Sequence, residues 1–197
     1  MAMGRPRGFD ADATLDKVMA TFWQHGFEGT TMATLTAATG LNKPSLYAAF
    51  GSKEEMFRTA FARYRERQAE FTGNLLADPS ARVGIEKVLL ALVDSLTQPG
   101  MPHGCLMVHG CLVGSADSTA VREELQLRRK ATETRIRERL KLAQAEGEFA
   151  AAVDVADFAR YIGTLFQGLA VQAASGAPRK ALHRVVKLAM MAWPANA

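Results

Sequence analysis

The stretch from Thr30 to Lys53, reading TTMATLTAATGLNKPSLYAAFGSK, constrains the fold more than any other part of the chain. It spells two short helices meeting at the tight turn Thr39-Gly40-Leu41. Gly40 can take a positive φ that other residues resist, so it can end one helix and redirect the chain into the next. Asn42 stands where an N-cap belongs, and Pro44 opens the following helix, where a missing N–H costs little. Leu46 and Phe50 lie i, i+4 on one face, with Leu41 just before them, and are expected to pack on Leu35 and Ala38. The opposite face carries Lys43, Ser45, Tyr47 and Ala48. A solvent-facing tyrosine among small and basic residues suits a helix that enters the major groove, with Lys, Ser and Tyr reaching phosphates or base edges. This is the helix-turn-helix plan.

The surrounding segments extend that plan. Asp10 or Asp12 can cap a first helix whose stripe is Leu15, Val18, Met19 and Phe22, and Gly26 ends it after about His25. Ser52 and Glu55 form an S-x-x-E capping box for a fourth helix continuing through Phe57, Phe61 and Tyr64 toward Leu76. Lys53 lies in the first turn of that helix, where the dipole disfavours a cation and a bound phosphate would relieve the cost.

From Leu15 to Phe57 the chain resembles the DNA-binding domain of the TetR family of bacterial transcriptional regulators (TetR/AcrR type). The matching residues include Phe22, Gly26, Phe27, Thr30, Thr31, Leu35, Gly40, Leu41, Leu46, Tyr47, Phe50, Lys53 and Phe57. Two positions depart from the family pattern: Thr34 replaces an acidic residue that would complete a capping box with Thr31, and Thr36 replaces an alanine. The resemblance implies an all-α chain of about nine helices. A three-helix DNA-binding domain (residues 1–52) would precede a helical regulatory and dimerisation domain (residues 53–197). DNA contact is expected from Thr31, Asn42, Lys43, Pro44, Ser45, Tyr47 and Lys53. Arg5 and Arg7, in a Gly/Pro-rich start, form either a frayed terminus or an arm entering the minor groove.

Composition bounds the rest. With 197 residues, 48% hydrophobic and 22% charged, the chain can bury a sizeable core. No apolar run is long enough to span a membrane, no apolar segment follows Arg7 as in a signal peptide, and two cysteines do not make a disulfide framework. A cytoplasmic setting is expected. The net charge of +4 is spread evenly: residues 1–67 hold 9 Lys+Arg against 7 Asp+Glu. Charge alone therefore supports nucleic-acid binding only weakly, and the motif carries the argument.

The remaining helices follow from breaks in the pattern. A fifth starts at Asp78-Pro79-Ser80, and a sixth follows the loop Gln98–Pro102 through HGCLMVHGCLVG. A seventh spans about 118–145. Its basic run of Arg128, Arg129, Lys130, Arg135, Arg137, Arg139 and Lys141 is read as a solvated, partly ion-paired face. The last two cover about 155–174 and 178–192, with faces around Leu165, Leu169 and Val185. In the family the equivalent pair builds a homodimer, which a paired DNA half-site demands.

The expected partners are double-stranded operator DNA, a second copy of the chain and a small-molecule effector of unknown identity, with no membrane and no cofactor. The function implied is transcriptional regulation, as a repressor released by an inducer. Candidate pocket residues are Phe61, Met101, Met107, Phe158, Tyr161 and Phe166. Cys105 and His109 fall i, i+4 on one helical face, so they offer either a soft-metal or electrophile sensor or a buried structural pair. Cys111 would point elsewhere, and whether any metal binds is left open. An enzyme finds no support in a phosphate loop, H-E-x-x-H or nucleophile elbow. A helical interaction module that never meets DNA does not account for the exposed Lys43, Ser45 and Tyr47.

Overall fold

The structure is a computed structural model that describes residues 9–72, 74–110 and 118–194. Those residues form nine α-helices and no strand. The first, α1 (Ala11–Gly29), starts at Asp10, whose carboxylate accepts the Asp12 and Ala13 N–H groups at 3.0 and 3.1 Å. It breaks at Gly26 (φ 69°, ψ −179°), the residue where the sequence ends the helix, and one more turn reaches Gly29. Then follow α2 (Met32–Thr39), α3 (Lys43–Phe50) and α4 (Lys53–Thr72). At the start of α4 the Ser52 N–H donates to Glu55 Oε2 (2.7 Å) and the Glu55 N–H to Ser52 Oγ (3.2 Å), the reciprocal cap expected.

An eight-residue helix is unstable alone in water, so tertiary packing must hold α2 and α3. Leu35 and Leu46, both fully buried, join the core cluster that also holds Val18, Met19 and Phe22 of α1 and Met56 and Phe57 of α4. Burial of each leucine contributes about 1.5–3 kcal/mol, enough to fix the orientation of such a short helix. Phe57 sits at the centre, edge-on to Phe22 (5.2 Å) and Phe27 (5.4 Å) and stacked on Phe61 (6.0 Å). Ala38, expected in this packing, is exposed, while Leu41 and Phe50 are partly buried against the core.

After a 3₁₀ turn at Leu75–Ala77, the chain forms α5 (Ala81–Leu96), α6 (Leu106–His109), α7 (Thr119–Ala145), α8 (Val155–Ala174) and α9 (Arg179–Met190). Helix α7 packs along α8, and α5 packs against α4, α8 and α9. Among the described residues the sixth helix covers four residues, Leu106–His109. Residues 111–117, including Cys111, lie outside the described residues.

The basic run on α7 is solvated only in part. Arg128, Lys130 and Arg135 are exposed, but Arg139 turns inward and donates to the Asp78 (3.0 Å) and Pro79 (2.7 Å) carbonyls. Arg129 likewise donates from Nη1 to the Met107 carbonyl (2.7 Å). A guanidinium fork can satisfy carbonyls at a chain bend while its stem lies on apolar surface, a use that charge alternation does not reveal.

Candidate nucleic-acid interface and the cavity behind it

The turn between α2 and α3 is built by three local devices. Gly40 adopts φ 76°, ψ 3° and donates to the Thr36 carbonyl at 2.9 Å. A Cβ there would meet nothing within 4 Å, so the left-handed backbone, not space, calls for glycine. Asn42 Oδ1 accepts the Ser45 N–H (2.9 Å) and caps α3. Thr31 Oγ1 accepts the Thr34 N–H (3.1 Å), while Thr34 Oγ1 accepts the Thr31 N–H (2.8 Å). The hydroxyl of Thr34 thus closes the capping box in place of the acidic side chain it replaces.

These caps aim α3 outward. Leu46 anchors its inner face; Lys43, Pro44, Tyr47 and Ala48 are exposed on the other, with Tyr47 48% exposed, and Ser45 is half-buried at the edge. Thr31 and Asn42 are exposed at the two helix starts. A helix N-terminus carrying Lys43 offers N–H groups and positive charge to a phosphate, while Tyr47, one turn further, stands proud of the surface. The Lys53 ammonium lies 4.4 Å from the centroid of the Phe27 ring. The negative face of that ring offsets the unfavourable position of a cation at the start of α4. Arg5 and Arg7 lie outside the described residues.

Behind this surface, α1 is fastened to the segment carrying α6. Trp23 Nε1–H donates to the Gly104 carbonyl (2.9 Å), and the Phe27 N–H donates to the Gly110 carbonyl (3.1 Å). The break at Gly26 brings its backbone so close that a Cβ would sit 3.3 Å from the His109 carbonyl oxygen. Helix α6 also packs on α7 and α8, so it lies between the DNA-binding helices and the rest of the molecule.

A cavity of about 430 Å³ opens between α4, α5, α7 and α8, and of the six candidate pocket residues Phe61, Met107 and Phe166 line it. Three do not. Met101 lines a separate cavity of about 670 Å³ beside Trp23, at the junction with α1. Phe158 and Tyr161 belong to an aromatic cluster with Phe149 and Trp193, at centroid distances of 5.2–5.6 Å, and the Tyr161 hydroxyl donates to the Ala189 carbonyl (3.4 Å). Helical spacing marks a residue as inward-facing but not which of several inner spaces it meets. Tyr64, Gln68 and Arg129 also line the first cavity. Tyr64 and Gln68 follow Phe61 at helical spacing, a signal the sequence carried.

The Cys105 and His109 side chains meet different partners. Cys105 is the N-cap of α6, with extended backbone (φ −122°, ψ 121°), and its carbonyl accepts the His109 N–H at 2.9 Å. Its thiol faces the first cavity and accepts a hydrogen bond from the Tyr64 hydroxyl (3.2 Å), whereas the His109 ring lines the second cavity, with Nε2 3.3 Å from the Ala170 carbonyl. Burial pushes the Cys105 thiol above its ordinary pKa, and it pushes the Tyr64 hydroxyl up as well. Among the described residues no group of three His, Cys, Asp or Glu side chains could hold a metal.

The fold and the outward α3 define a helix-turn-helix DNA-binding regulator. Residues 15–60 match the family described as "Bacterial regulatory proteins, tetR family", and residues 83–189 match "Tetracyclin repressor-like, C-terminal domain". The HTH-type transcriptional repressor ComR of Escherichia coli (strain K12) is 35% identical over 193 residues, covering 97% of this chain and 92% of ComR. The repressor BdcR of the same organism is 34% identical over 109 residues, 54% of this chain and 55% of BdcR. The TetR family regulator CifR, solved as a cysteine mutant with 26-bp double-strand operator DNA, superposes with a TM-score of 0.90 at 41% identity, covering 96% of this chain and 100% of CifR. This chain therefore belongs to the TetR family of bacterial transcriptional regulators. Among the described residues, no helix is long and apolar enough to cross a membrane.

Proposed function

We propose that the protein is a repressor that binds operator DNA as a homodimer and is released when a small molecule fills the cavity between α4, α5, α7 and α8. The observation that carries this reading is continuity. The Arg129 side chain lines the cavity and holds the Met107 carbonyl, and the same segment holds α1 through the Trp23 and Phe27 hydrogen bonds. A ligand that shifts α6 would move the DNA-binding helices as a body.

DNA contact is assigned to Lys43, Tyr47 and the capped ends at Thr31 and Asn42, with Pro44, Ser45 and Lys53 flanking them and Arg5 and Arg7 as an arm. Residues 1–52 act as the reading unit and residues 53–197 as the sensing and pairing unit. The dimer interface is assigned to α8 and α9, where Val171, Val185 and Leu188, with Met191 just after α9, are exposed large apolar residues. The setting is cytoplasmic. CifR and ComR, a DNA-bound regulator and a repressor of similar sequence, support the reading. Selection of duplexes from a random pool by the purified protein tests it. A two-fold symmetric site is expected; an unselective or asymmetric outcome would overturn it.

A further inference from the structure

The charged groups around the cavity between α4, α5, α7 and α8 are either wet or engaged. Arg65, Lys130 and Arg135 are exposed and screened by solvent. Glu133 lies 3.9 Å from Arg160 Nε, and Arg129 is tied to the Met107 carbonyl. The buried part of the lining is apolar, from Phe61, Leu89 and Ile162, and is broken by the uncharged Tyr64 and Cys105. Tyr64 is 2% exposed, yet its hydroxyl donates to the Cys105 sulfur at 3.2 Å. Sulfur is a weak acceptor, so a buried phenol proton gains less there than it would from a carbonyl oxygen. Burial raises the Tyr64 pKa, so the proton stays and the group remains a donor. The hydroxyl oxygen is better supplied, because the Gln68 amide and the Leu106 N–H lie beside it. What this cavity-lining group lacks is a good acceptor.

We propose that this cavity takes an uncharged, mostly apolar molecule bearing a carbonyl group, a ketone or an ester, whose oxygen accepts a hydrogen bond from the Tyr64 hydroxyl. The inference rests on the reading of this cavity as the effector site and names the class of effector. At about 430 Å³ the cavity is at the small end of the range for ligand pockets, which suits a compact molecule. A carbonyl oxygen outcompetes sulfur for the hydroxyl, whereas a hydrocarbon leaves the Tyr64–Cys105 bond as it is. Tyr64 belongs to α4, and Cys105 is the N-cap of α6. The exchange therefore removes a tie between α4 and the segment to which α1 is fastened through Trp23 and Phe27. Recognition of the carbonyl and loosening of the DNA-binding helices are then the same event.

The test uses full-length protein and a matched pair, 1-tetralone and tetralin, which differ by the carbonyl group. Binding is read by displacement of the neutral fluorophore N-phenyl-1-naphthylamine and by calorimetry. Tyr64→Phe should weaken 1-tetralone about fivefold, a difference of about 1 kcal/mol, and tetralin by less than about twofold. In the wild type alone, the carbonyl carbon resonance of isotope-labelled 1-tetralone should lie downfield of its position in an apolar solvent, as a hydrogen-bonded carbonyl requires. The ketone should also weaken duplex binding by the wild type, and tetralin should not. Equal losses of both ligands in Tyr64→Phe, no loss of either, or a bound resonance at the apolar-solvent position would show that the carbonyl class is wrong while the cavity reading stands. If neither ligand nor the fluorophore binds the wild type, or if bound 1-tetralone leaves duplex affinity unchanged, the effector reading falls and the proposal with it.

Discussion

Gly26→Ala tests the junction between the DNA-binding helices and α6. The native backbone at φ 69°, ψ −179° lies in a region that essentially only glycine occupies, so alanine there costs about 1–3 kcal/mol. The new Cβ would approach the His109 carbonyl oxygen to 3.3 Å, tight enough to push that segment back by a few tenths of an ångström, and the Gly110 carbonyl oxygen to an ordinary 3.5 Å. The same displacement stretches the hydrogen bond from the Phe27 N–H to Gly110, with about 0.5–1.5 kcal/mol at risk. Alanine narrows the unfolded ensemble and returns about 0.4–1 kcal/mol. The net expectation is a loss of about 1–3 kcal/mol, or about 2–4 °C in melting temperature for each kcal/mol in a chain of this size. Urea unfolding by circular dichroism, at matched protomer concentration, measures it. A change below about 0.5 kcal/mol would refute the reasoning, because neither the strain nor the contact would then exist in solution.

The remaining predictions concern separate elements. Glu148 accepts from the Ser80 hydroxyl and from the Ala81 (2.7 Å) and Arg82 (3.1 Å) N–H groups at the start of α5. Burial opposes its ionisation, but these bonds and Arg139 outweigh it and hold the carboxyl below its ordinary range. Its stabilisation is thus present above the ordinary carboxylate pKa and lost as pH falls through the lowered one; Glu148→Gln should cost about 1–2 kcal/mol at pH 7 and progressively less toward pH 3 in urea unfolding. A gap independent of pH would count against the charge-assisted cap. Leu188→Glu, at a residue 66% exposed on α9, should yield monomers in sedimentation without loss of helical signal; an unchanged dimer would move the interface off this face. Cys105, buried under Tyr64, should alkylate with iodoacetamide far more slowly in native than in denatured protein, as mapped by mass spectrometry. Equal rates would mean that the thiol is open to solvent.

Much of the DNA-binding half was legible because its signals are local. Gly40, Asn42, Ser52 and Glu55 act through backbone atoms within four residues of themselves, so their spacing alone defines the caps and turn. The long helices α5, α7, α8 and α9 were legible from their apolar period. What escaped depends on contacts distant in sequence. That Phe158 joins Trp193 and not the cavity is decided by how α8 meets the chain's end, and Arg129 reads as one surface cation among several until its bond to Met107 is known. That the Cys105 and His109 side chains meet different surroundings, the Tyr64 hydroxyl and the Ala170 carbonyl, follows from contacts that spacing in the sequence does not reveal.

The most direct test of the account is fluorescence anisotropy of a duplex selected by the protein itself, titrated with wild type, Lys43→Ala and Tyr47→Ala against the selected and scrambled sequences at fixed salt. The account predicts that wild type favours the selected duplex by about 10³-fold or more. Each substitution should weaken binding by about 1–3 kcal/mol on the selected duplex and much less on the scrambled one, with the circular dichroism spectrum unchanged. Equal losses on both duplexes, or no loss on either, would contradict the claim that α3 reads the sequence.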